Sequence, residues 1–458
     1  MCDLGLSRDE YSSRRQRLLE LVCSTVQRDL SDKLISSSRY LLLIPASSVT
    51  FYAPDVPYPF RQDSNFLYFS GYREPDSVLA IVRSEQSTTH RSVLFVAHSD
   101  PFQELWHGPR AGVDGALRLT GVDQTLEHKD FVPFMQDFLH GPTTQLFCDK
   151  SRMSQDKRQV VTDALTDSGS SLRLAYADAE FVSLMHRVRW VKSAAELELL
   201  RTAARIGSAA VAAAMGFSAP GMNEAELASF LNHQCTLRGA DRLAYPPVVA
   251  GGQRANIIHY LNADQIVEDG DLLLVDAGCD YFGYVSDITR TWPVNGRFTP
   301  AQRQLYQALY EIQTSLLEVV ASVRPLALSD LYQIQLELIG THLQGLNIIP
   351  SQLEDVALRQ AAERFCPHHV SHYLGMDVHD THHVARNIAL ENFPPDCGAV
   401  ITIEPGIYVP MHATDVPERF RGIGMRIEDD VVVTDTGAEN LTESCPKSVG
   451  DIEMVCQS

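Results

Sequence analysis

Short apolar runs bounded by turn residues recur along the first part of the chain. Residues 39–45 (RYLLLIP), 78–82 and 93–97 have this form, which predicts strands. Residues 10–23 and 155–166 mix polar and apolar positions at helical spacing. Strands alternating with helices predict an α/β domain over residues 1–188. A boundary falls near residues 185–192. Beyond it, Ser193-Ala-Ala-Glu196 has the spacing of a capping box, with Ser193 as cap and Glu196 reaching back to it. An alanine-rich helix should follow to about Met215, then a second helix over residues 224–238. Thr299-Pro300 starts another, with Thr as cap and Pro in the first turn. Residues 271–277, 283–292, 399–409 and 424–434 read as strands. Residues 189–458 therefore read as an α+β domain with antiparallel strands. No fixed-period repeat interrupts this organisation.

Charge narrows the classes of function. The 458 residues carry 38 Lys and Arg against 58 Asp and Glu, a net charge of −20. A general nucleic-acid binder or an anionic-membrane binder needs a basic face, so neither class is expected. No stretch approaches the ~18 apolar residues of a transmembrane helix. The 9 cysteines are scattered with no CxxC pair, which argues against a thiolate zinc site and against a disulfide framework. The amino-terminal segment has no apolar core of a secretory signal. Arg14, Arg15 and Arg17 give it a basic look, but Asp3, Asp9 and Glu10 do not suit a transit peptide.

Polar residues inside apolar strand patterns point to chemistry. If Tyr281-Phe282 forms a hairpin tip, Asp276 stands directly opposite Asp287. Like charges there repel, so a cation between them is the economical remedy, although hairpin aspartates are often simply solvated. His368, His372, Asp377, His379 and Asp380 crowd into thirteen residues. Histidine serves both as metal ligand and as acid/base near neutral pH. His382 and His383 follow in a polar stretch and read as surface residues. Glu404 and Glu428 each interrupt an apolar strand, and a buried carboxylate must be paired, protonated or metal-bound. Arg426 has the in/out parity of Glu428, so it can reach a substrate or a ligand carboxylate in the same cavity. Four carboxylates (Asp276, Asp287, Glu404, Glu428) with a neutral His372 carry −4. Two divalent cations balance that charge. An oxygen-dominated set with one imidazole suits Mn²⁺ or another borderline divalent metal better than a thiolate-type zinc site. Two such ions would lower the pKa of a shared water and make it a hydroxide nucleophile at neutral pH.

The order Asp276, Asp287, His372, Glu404, Glu428 resembles the ligand set of the pita-bread metallopeptidases. The strings LAYPPVVAGG (243–252), SDITRTWPVNGRF (286–298), HHVSHYLGMDVHD (368–380) and FRGIGMRIEDDVV (420–432) narrow the resemblance to the aminopeptidase P family. YPFRQDSNFLYFSGYREPDSVLAI (58–81) and ELWHGPR (104–110) resemble the creatinase-type N-domain of that branch. The resemblance implies a pita-bread catalytic domain (189–458) behind a creatinase-type α/β N-domain (1–188). It implies that Asp276 chelates one metal, that Asp287 and Glu428 bridge, and that His372 and Glu404 hold the other. It implies that His259, His368 and His379 contact substrate and stabilise the tetrahedral intermediate. Tyr245 resembles a substrate-binding residue, and Tyr408 and Arg426 match positions that support the metal ligands or face the substrate.

The activity so implied is release of the N-terminal residue from peptides with proline second, by attack of a dimetal-bridged hydroxide. Glu404 would carry the proton to the proline nitrogen. A prolidase restricted to Xaa-Pro dipeptides is the alternative, and a noncatalytic peptide-binding scaffold the more distant one. The resemblance also implies a homodimer formed through the N-domain. It implies a mitochondrial location, or a cytoplasmic one if no leader precedes the chain.

Overall fold

Leu41, Leu42 and Leu43 are wholly buried because Arg39–Pro45 is an inner strand of a six-stranded sheet. On one side it pairs antiparallel with Val78–Arg83, and on the other parallel with Thr144–Cys148. Arg91–Val96 and Gln124–Glu127 extend one edge, and Leu172–Leu174 the other. A strand with neighbours on both sides and both faces covered reads as a continuous apolar run. This computed structural model describes residues 5–29, 39–84, 87, 89–139, 142–167, 169–175, 178–323, 326–381 and 397–457. The sheet and its helices form one unit, Met1–Arg189, and Trp190–Ser458 form a second. No helix among the described residues is long and apolar enough to cross a membrane. His382 and His383 lie outside the described residues.

Among the described residues of the second unit every ladder is antiparallel. The helix Ala194–Phe217 starts at a capping box, with Ser193 accepting from Glu196 N while the Glu196 side chain accepts from Ser193 N. Ser193→Ala should lower stability by about 1 kcal/mol, read as an earlier urea midpoint with unchanged slope. The helix packs closely on the strands that lead to the site because Gly207 presents no side chain. A Cβ there would stand 2.7 Å from Ser286 Oγ and 3.0 Å from Ile288 Cδ1.

The hairpin between Leu272–Asp276 and Thr289–Pro293 corrects one expectation. Its tip is Phe282-Gly283, not Tyr281-Phe282, and both tip residues have positive φ, 52° and 86°. That conformation matches the right-handed twist of the flanking strands. Asp276 therefore faces Thr289 rather than Asp287. The register has moved by two residues, and side chains alternate with period two. Asp287 thus keeps the face of Asp276 and becomes its diagonal neighbour instead of its direct one.

Three stretches expected as single strands are interrupted. Residues 283–292 form Tyr284–Val285 and Thr289–Pro293, residues 399–409 form Val400–Ile403 and Gly406–Tyr408, and residues 424–434 form Gly424–Arg426 and Asp429–Thr434. Each gap holds one acidic residue of interest: Asp287, Glu404 or Glu428. Pro405 has no N–H to give a ladder. Two other gap amides find partners off-register: Glu404 N donates to Val370 O (2.8 Å) and Glu428 N to Thr289 O (3.0 Å).

Candidate metal centre

The gaps turn three carboxylates toward a single point, and the end of strand Leu272–Asp276 adds a fourth. His372 Nε2 lies 3.4 Å from Asp287 Oδ2 and 3.5 Å from Glu404 Oε1. Ligand atoms of Asp287, His372 and Glu428 all lie within 4.8 Å of one another. The Tyr245 hydroxyl reaches both Asp276 (2.6 Å) and Asp287. The five residues read as ligands from sequence thus stand together. Gly278 makes room for this arrangement, since a Cβ there would lie 1.7 Å from Ser286 O and 3.2 Å from the Tyr245 ring.

The electrostatics of this cage show a shortage of positive charge. Burial, reinforced by Asp287, Glu404 and Asp276, pushes the Glu428 carboxyl well above the usual range. Burial also raises Asp276, although Arg426 opposes it. Burial and the neighbouring aspartates bring Glu404 up to about 7, with His372 and Arg426 pulling the other way. Burial disfavours the charged His372 ring, but Asp287 and Glu404 outweigh it and raise that ring to about 9. Four carboxylates around one imidazole, Asp287 and Glu428 buried and Asp276 and Glu404 half-buried, are a hard-oxygen donor set, and their charge fits two divalent cations rather than one.

Behind the carboxylates runs a directional chain of hydrogen bonds. His369 O can only accept, so His368 Nδ1 carries the proton of that 2.8 Å bond. His368 Nε2 then accepts from the Tyr408 hydroxyl at 2.9 Å. Tyr408 in turn accepts from Arg426 Nη1 (2.9 Å), while Arg426 Nη2 donates to Asp276 Oδ2 (2.6 Å) and Nε to Thr289 Oγ1 (3.0 Å). Thr289 donates onward to Glu428 Oε2 at 2.6 Å. Arg426 thereby reaches a carboxylate of the cage, one of the two options its parity allowed. Burial and the Arg426 charge hold His368 down to about 4, so its ring is neutral at physiological pH.

The remaining site residues sit at the edge. His379 is exposed and meets the His372 ring edge-on at 4.5 Å between centroids. His259 is exposed and lies close enough to His368 for its charge to depress that ring. Tyr245 is half-buried, and Tyr408 and Arg426 are buried. Sequence reasoning missed Thr289, which shares the strand parity of Asp287, and Asp430, whose carboxylate accepts from Asp287 N at 3.1 Å. A Thr in a β-rich run carries no signal of its own. The Asp430 signal was the double acid after Glu428.

Comparison with known proteins adds to this geometry. Residues 198–435 match the family described as metallopeptidase family M24, and residues 11–147 match the N-terminal domain of aminopeptidase P. The chain is 42% identical to human Xaa-Pro aminopeptidase 3 over 99% of its length and 86% of that protein. It is 36% identical to the mitochondrial intermediate cleaving peptidase 55 of Arabidopsis thaliana, over 98% of this chain and 83% of the relative. Among solved structures, a zinc-substituted Escherichia coli aminopeptidase P in complex with product superposes with a TM-score of 0.86 at 33% identity, covering 99% of this chain and 98% of that one.

Proposed function

Because the chain belongs to metallopeptidase family M24 and carries the aminopeptidase P N-terminal domain, we propose specific roles for the side chains of its acidic cage. The protein is a metal-dependent aminopeptidase with a pita-bread catalytic domain, and it releases the N-terminal residue from peptides with proline second. The site is dinuclear, of divalent metal type. We assign the ions to Asp276, Asp287, His372, Glu404 and Glu428, and their identity to Mn²⁺ on the hardness of the donors. When bound, such ions polarise the scissile carbonyl and activate water.

The chain's own residues do the rest. Arg426 holds Asp276 and, through Thr289, steadies Glu428, so two carboxylates keep their aim. Glu404 turns one oxygen toward His372 at 3.5 Å and the other toward His368 at 3.8 Å. That placement suits a proton carrier between attacking water and proline nitrogen. His379 and His259, exposed at the edge, are placed to donate to the developing oxyanion. Tyr245 and Pro246-Pro247 form the wall that selects proline by shape, since its imide offers no N–H to satisfy.

The observation that carries this reading is the convergence of Asp287, His372 and Glu428. We expect Xaa-Pro-Yaa tripeptides to be cleaved in preference to Xaa-Pro dipeptides once Mn²⁺ is supplied, and Asp276→Ala to be inactive on both. Preferential turnover of dipeptides would make the enzyme a prolidase. We further place it in the mitochondrion, as its Arabidopsis relative is, and assign it a homodimer through the N-terminal unit. Phe102 (66% exposed), Leu105 (78%) and Trp106 (71%) supply apolar surface for that contact.

A further inference from the structure

Glu224 is fully buried and opens the helix Glu224–Leu237. Its carboxylate accepts four hydrogen bonds. Gly251 N (2.8 Å) and Arg254 Nε (2.7 Å) reach Oε1, and Tyr260 Oη (2.9 Å) and Gln265 N (3.1 Å) reach Oε2. A carboxylate serving only its helix would accept from that helix's own free amides. All four donors here come instead from residues 251–265. Past the short 3₁₀ turn Gly252–Asn256, residues 257–265 form neither helix nor strand. They carry His259.

The anchor nearest to His259 is its neighbour. Tyr260 is 8% exposed, and its ring belongs to a buried cluster with Val248, Leu274 and Tyr408. Val248 is the cross-strand partner of Asp276, and Tyr408 holds His368. The Tyr260 hydroxyl is pushed up to about 12 by burial and by Glu224, so it stays a donor across the working pH range. One residue from His259, the backbone is therefore fixed to the floor of the site by a ring and to Glu224 by a hydroxyl.

We infer that Glu224 and Tyr260 are positioning residues that set where His259 stands at the edge of the metal cage, without touching substrate or metal. This rests on the role given above to His259. Glu224→Ala would strand Arg254 and three other donors and put folding at risk. Tyr260→Phe removes one hydroxyl and leaves Glu224 three partners, so it is the variant to use, in the Mn²⁺-loaded full chain.

Its kcat/KM on an Xaa-Pro-Yaa tripeptide should fall about tenfold, as expected for a small misplacement of a reacting group, with metal content and Tm unchanged. In a His259→Ala background the same substitution should change kcat/KM less than about twofold, because a route through His259 is already cut. No loss in Tyr260→Phe, or an equal loss in both backgrounds, would overturn the inference. A His259→Ala enzyme at the wild-type rate would instead overturn the role of His259, and this route with it.

Discussion

The Glu428→Gln enzyme should lose peptide hydrolysis and yet, stripped of metal, unfold at a higher temperature than stripped wild type. Glu428 is 2% exposed, and burial together with Asp287, Glu404 and Asp276 raises its carboxyl well above the usual range. A carboxyl raised in the folded state binds a proton that the unfolded chain releases above about pH 4.3. Stability is then lost as pH rises through that window, and at pH 8 the group is a net cost. Glutamine keeps the shape, and its carbonyl can still accept from Thr289. Metal binding should show the opposite. Loss of an outer partner of a metal ligand costs roughly 10- to 100-fold in affinity or activity, and loss of a ligand that closes the cage should cost more. Calorimetric scans with chelator and with Mn²⁺ separate the two effects. Wild type should gain more from metal than the variant does, and the two curves should cross. A stripped variant less stable than stripped wild type would mean that Thr289 and Arg426 already satisfy the Glu428 charge. The cage would then not be short of cations.

How far the sequence reveals this site depends on what each residue answers to. The helices at Ser193 and Thr299 start where local capping chemistry puts them, and both caps are closed in the structure. Residues 39–45 and 155–166 were legible for the same reason, since period and turn residues are local. The hairpin tip was misread because Phe282 takes a positive φ that a bulky residue rarely adopts. The pairing of Asp276 with Asp287 nonetheless kept its face, because an error of two residues preserves parity. The strand gaps at Asp287, Glu404 and Glu428 were invisible. An apolar run containing one acid looks like a strand until the tertiary demand to converge four carboxylates bends it. Thr289, Glu224 and Asp430 were missed for a related reason. Their partners lie 139, 27 to 41, and 143 positions away, and no local pattern encodes such distances.

Directly behind the cage, Asp429→Ala should be the most destabilising single substitution in the catalytic unit. Strand alternation sends Glu428 to the site and Asp429 to the opposite side. There Asp429 accepts from Arg290 Nη2 (2.7 Å), Lys447 Nζ (2.8 Å), Gln313 Nε2 (2.8 Å) and Thr442 Oγ1 (2.9 Å). Burial disfavours the charge, but Arg290 and Lys447 outweigh it and hold the carboxyl far below its usual range. Both Asp429 and Arg290 have fully buried side chains. Removing the acid leaves a guanidinium in the core, at a cost of about 3–5 kcal/mol, or a fall in Tm on the order of 10 °C. A carboxyl depressed on folding contributes stability above about pH 4, and loses it only as pH falls through its folded value. The deficit of Asp429→Ala should therefore be constant between pH 5 and 8. Arg290 Nη1 also donates to the Glu428 backbone carbonyl, so the loss should reach the site as weaker Mn²⁺ binding. In an Arg290→Met background, Asp429→Ala should cost much less, because no buried cation then remains to be stranded. Equal costs in the two backgrounds would place the stabilisation in Lys447, Gln313 and Thr442 instead of the buried pair.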